Sequence, residues 1–86
     1  MEQKSPNLFT DIAADINFYF YMHRPKVRSD IFGGLDFVRD LLKAANDSTI
    51  TDVVISFASF VNSKGFRITR KEVRDYINNK VLSDDG

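Results

Sequence analysis

The sequence has no cysteine and no tryptophan, only two prolines and four glycines, and no net charge. Without cysteine no disulfide can staple the domain and no thiolate can bind metal or act as a nucleophile. That fits a reducing compartment, and a cytoplasmic location is the expectation. Twelve basic side chains balance twelve acidic ones, so the net charge calls for neither nucleic acid nor an anionic membrane. The opening Met-Glu-Gln-Lys-Ser-Pro lacks an apolar core segment, so no secretory signal is expected. No apolar run approaches the ~20 residues of a membrane span. The 86 residues suit one domain. A chain of this size buries only about 60–65% of its unfolded surface, which leaves a thin stability margin.

What is present is helical patterning, written most plainly between Ile50 and Val81. Ile50, Val53, Val54, Phe57, Ala58 and Val61 recur at the spacing of one helical face. Phe60 stands at the edge of that stripe, and Ile55 falls outside it among Ser, Thr and Asn. Ser48 or Thr49 is the expected N-cap. Gly65 suits the left-handed position that ends a helix, with Phe66 as its apolar contact. Thr69 and Glu72 then form a T-x-x-E capping box, and Ile68 and Val73 occupy the positions of a hydrophobic staple. Val73, Tyr76, Ile77 and Val81 share the next apolar face.

Upstream, Ser5-Pro6 has the form of a helix start. Leu8, Phe9, Ile12, Ala13, Ile16, Tyr19 and Phe20 make a continuous stripe. The run Phe18-Tyr-Phe-Tyr-Met22 also suits a strand, but the stripe favours a helix to about Met22. Pro25 ends it, because proline disfavours helical backbone in the residue before it. Residues 26–32 read as a connection. Gly33-Gly34 either breaks the chain or admits another backbone closely. Leu35, Val38, Leu41, Leu42 and Ala45 define a further helix, widened by Phe37 and Ala44. The expectation is an all-α, four-helix domain with helices near 7–22, 34–46, 50–63 and 70–81, a capped helix-turn-helix in its C-terminal half, and frayed tails at 1–5 and 83–86.

Catalytic chemistry has little to stand on. His23 is the only histidine and falls at a helix end, where a structural role outweighs a catalytic one. Asp11 and Asp15 are one turn apart, with no third metal ligand in sequence reach. An EF-hand reading of the Gly65 loop fails, since Phe60 and Lys64 stand where oxygen donors belong. No phosphate-binding glycine loop is present. No catalytic residue, metal or cofactor is therefore expected, and no enzyme activity.

Two binding readings remain. Eight Phe and three Tyr are heavy for so small a chain. Phe18, Tyr21, Met22 and Ile55 do not fit the main stripes of their helices. Aromatics and Met are enriched at interfaces, and exposed apolar patches usually mark partner sites. Either these residues contact a protein partner or a second copy of the chain, or they pack under the 24–32 connection. The favoured function is a non-enzymatic regulatory or adaptor protein acting through protein contacts. The alternative is a nucleic-acid-binding helix-turn-helix using Lys64, Arg67, Arg70, Lys71 and Arg74, with Arg24, Lys26 and Arg28 as a second basic cluster. The bland reading of these cations is a solvated face.

The phrase from Gly65 to Val73 resembles the opening of winged-helix domains, which implies a reading helix and a wing beyond it. The chain ends before either. The same nine residues are similar to the end of leader-peptide domains of the nitrogen-fixation-associated type. The aromatic N-terminal half and a single final Gly depart from that pattern, and no family is claimed.

Overall fold

The computed structural model describes residues 8–83. These residues form an all-α domain with no strand among them. The elements are α1 (Leu8–His23), α2 (Arg28–Phe37), α3 (Arg39–Ala44), α4 (Asp47–Ser63) and α5 (Arg70–Tyr76), with a π-helical turn at Ile77–Val81. The proposed Ser5-Pro6 start and the tail beyond Ser83 lie outside the described residues.

α1 places Ile12, Ile16 and Phe20 in the core at successive i, i+4 positions. It packs against both α2 and α4. Where α1 meets α4, the Phe20 ring stands edge-on to Phe60, with centroids 4.9 Å apart and planes at 82°. Phe57 makes a similar edge contact with Phe20 at 6.2 Å. Edge-to-face geometry brings the positive rim of one ring to the negative face of the other. Each large apolar side chain so buried stabilises by about 1.5–3 kcal/mol.

The second expected helix is redrawn. Helical backbone begins at Arg28, inside the stretch read as a connection, and Gly33-Gly34 lies within α2 rather than breaking it. The glycines serve close approach, and the approaching group is a pair of aromatic side chains rather than backbone. A Cβ on Gly34 would sit 3.3 Å from both the Tyr19 and Phe20 rings, and one on Gly33 would collide with the Tyr19 hydroxyl. That hydroxyl donates a 2.8 Å hydrogen bond to the Asp30 carbonyl, so α2 is held against α1. The break falls instead at Val38, whose N–H bonds back to the Leu35 carbonyl at 3.2 Å in a tightened turn. The bend keeps Leu35, Val38 and Leu42 all buried.

α4 starts earlier than the hydroxyl caps suggested. The Asn46 side chain, not Ser48 or Thr49, caps it by accepting the Thr49 N–H at 2.8 Å. Asn is among the strongest N-caps, and Asp47 in the first turn faces the positive end of the helix dipole. α4 buries Ile50, Val53, Val54, Phe57, Ala58 and Val61, the stripe read from its spacing. Gly65 follows with φ +99°, and the Phe66 N–H bonds back to the Val61 carbonyl at 3.1 Å.

The Thr69 hydroxyl accepts the Glu72 N–H at 3.1 Å, and the Glu72 carboxylate accepts the Thr69 N–H at 2.9 Å, completing a capping box for α5. Ile68 and Val73 are buried beside it. After Tyr76 the backbone widens by one residue, with the Leu82 N–H reaching the Ile77 carbonyl at 2.8 Å. Ile77 and Val81 are both buried in this wide turn.

Candidate functional site

Phe18, Tyr21 and Met22 project from the side of α1 opposite Ile12 and Ile16, because residues at i, i+3 and i+4 share one face. They are 55%, 72% and 58% exposed. The 24–32 segment does not cover them: it turns into α2 and commits Ile31 to the core and Arg28 to Glu72 of α5. A fourth residue joins the patch. Phe37, at the end of α2, is 47% exposed, and its ring stacks on Phe18 with centroids 6.3 Å apart. Tyr19 approaches the same ring at 5.6 Å. The sequence offered no direct signal for this pairing, since Phe37 read as an edge of its own helix's apolar face.

Ile55 does not belong to the patch. It is 39% exposed and borders a shallow groove on α4 with Phe9, Asp52, Ser56, Ser59 and Phe60. His23 closes α1 with its ring against Tyr19, centroids 4.5 Å apart.

The basic cluster is divided by the fold. Lys71 pairs with Asp75 at 2.8 Å. Arg74 donates to the Thr51 hydroxyl at 2.6 Å and lies 3.6 Å from Asp47. Arg28, from the second cluster, pairs with Glu72 and donates to the Arg67 carbonyl at 3.0 Å. Lys64 sits over the Phe60 ring, 5.0 Å from its centroid. The Arg67 and Arg70 side chains have no ion-pair or hydrogen-bond partner among the described residues.

Besides Lys71, raised by its bond to Asp75, three ionisable groups are perturbed by this framework. The Tyr76 hydroxyl donates to the Asp36 carboxylate at 2.7 Å while its ring stacks on Phe32 at 4.8 Å. Burial, then that bond, push it up to about 12. Tyr19 is raised by burial and, secondarily, by Asp30 and Asp36. Glu72 is held below the usual carboxylate range by the Thr69 N–H first, with Arg28 adding to it. All three tie elements together, and none faces a cavity with a second reacting group. No group of three metal-ligating side chains occurs among the described residues, and none of their helices is long and apolar enough to cross a membrane. Comparison with protein-family models, with curated proteins and with solved structures finds no match to this chain.

Proposed function

We propose that the protein is a non-enzymatic contact module, a small regulatory or adaptor domain, and that Phe18, Tyr21, Met22 and Phe37 form its docking surface. The observation that supports this reading is the exposure of three large apolar side chains on one face of α1 with a fourth stacked beside them. Leaving them in water forgoes about 1.5–3 kcal/mol for each that a partner would bury. A second copy of the chain is the partner always present, and a homodimer is the simplest form of the proposal.

The nucleic-acid alternative keeps Arg67 and Arg70 without an ion-pair partner among the described residues, while Lys64 lies over the Phe60 ring and Lys71 and Arg74 are engaged with Asp75 and Asp47. A phosphate track along α5 is interrupted by those pairs. Solution mass measured with and without an oligonucleotide, at low and at physiological salt, separates the readings. The contact module predicts self-association that salt does not abolish and no complex with the oligonucleotide. A nucleic-acid complex whose affinity falls steeply with salt favours the alternative, because counterion release sets that slope.

A further inference from the structure

The fold brings together cations that are far apart in the chain. Arg24 and Lys26 follow α1, and Lys64 follows α4. All three line one groove of about 580 Å³ whose remaining walls are Phe20, Pro25 and Phe66. No carboxylate lines it, and none of the three cations has an ion-pair partner among the described residues. Three like charges around an apolar concavity repel one another, and low-dielectric walls focus their field outward. The volume accommodates several side chains rather than a lone ion.

Arg24 adds a second, independent observation. Its φ is +48°, the one positive value at a non-glycine position among the described residues. Pro25 explains why α1 must stop there, and the Arg24 N–H closes the helix by donating to the Phe20 carbonyl at 3.0 Å, the bond of a left-handed cap. Left-handed backbone costs a residue with a Cβ about 1–2 kcal/mol, and Gly or Asn is the usual occupant. Strain of this kind concentrates at binding sites, and here it falls on an arginine that lines the groove.

We infer that this groove binds an acidic peptide segment carrying apolar side chains, the carboxylates meeting Arg24, Lys26 and Lys64 and the apolar groups lying against Phe20, Pro25 and Phe66. A peptide is favoured over nucleic acid because the cations cluster around an apolar concavity instead of running as a stripe, and because the chain as a whole has no net charge. The inference is independent of the α1 patch, none of whose residues lines the groove.

The test uses the full chain and fluorescence anisotropy with a labelled peptide of alternating Glu and Leu. Controls are a peptide of alternating Lys and Leu and an oligothymidylate. The acidic peptide should bind at low salt, and affinity should fall as salt rises. Reversing Lys26 and Lys64 to Glu together should weaken it by about tenfold or more, since like charges now face the ligand. Arg24→Gly should weaken binding while the melting temperature holds or rises, a split that a purely structural Arg24 does not produce. Equal binding of the basic peptide, tighter binding of the oligothymidylate, no binding at low salt, or affinity indifferent to the double reversal overturns the inference.

Discussion

The two halves of the molecule treat their side chains differently. From Asn46 to Val81 nearly every special residue is answered within the chain. Asn46 caps α4. The Asn62 amide bridges the Ala58 and Ile68 carbonyls at 2.7 and 2.8 Å, tying helix to turn. Gly65 takes the left-handed position, and Thr69 and Glu72 cap α5 reciprocally. The face made by α1 and the end of α2 leaves four large apolar side chains between 47% and 72% exposed. One region is closed by its own grammar, and the other carries a surplus that its own fold does not use. Local rules and tertiary demands agree in the first region and part company in the second, which is where functional sites are expected.

The largest break in that comparison should come from the core shared by both halves. Phe57 is buried and meets Phe20 edge-on. Phe57→Ala should cost about 3–5 kcal/mol, transfer and cavity terms together. In so small a domain that unfolds most molecules at ambient temperature, which circular dichroism under a urea titration will show. A loss below about 1 kcal/mol would mean that the α1–α4 contact is not the core.

A smaller effect tests the closed region at its turn. Nothing lies within 4 Å of a Cβ added at Gly65, so space is no obstacle there. The positive φ is. Gly65→Val should therefore destabilise by about 1–2 kcal/mol through backbone strain alone, read as a lower urea midpoint with an unchanged slope. An unchanged midpoint would remove the left-handed turn from the account.

The smallest effect concerns pH. Glu72 has its folded pKa lowered from 4.5. Its stabilising contribution is present above the unfolded value and is lost as pH falls through the folded one. Glu72→Gln should melt below the wild type at neutral pH and converge with it in acid, below the ordinary glutamate range. Parallel melting curves across that window would contradict the bond from the Thr69 N–H and the pairing with Arg28.

Much of the closed region was legible in the sequence because its signals are local. Periodicity placed the α4 stripe, and the T-x-x-E spacing placed the start of α5. The start of α2 was not legible, since Val27 supplies no side-chain cap and two adjacent glycines read as a breaker. Their use becomes visible only when Tyr19 lies across them. Asn46, Ser48 and Thr49 are all good N-cap types, and only the Thr49 N–H bond to the Asn46 side chain decides among them, the usual end-of-helix ambiguity. At the sites, spacing alone separated Phe18, Tyr21 and Met22 from the α1 core stripe. The stacking of Phe37 on Phe18 and the meeting of Lys64 with Arg24 and Lys26 depend on how helices pack, which no local pattern records. Ile55 shares with Phe18, Tyr21 and Met22 only its misfit to its own helix's stripe, and misfit does not specify direction in space.

The contrast between a closed half and an open face rests most directly on Phe18→Asp. Sedimentation equilibrium over a rising concentration series, with circular dichroism on the same samples, reads association and folding together. The account predicts that the wild type climbs from 9.9 kDa toward twice that mass. The variant should stay at the mass of one chain with helicity and cooperative unfolding intact. A variant that unfolds would place Phe18 in the interior, and equal masses for both proteins at every concentration would contradict the docking surface on α1.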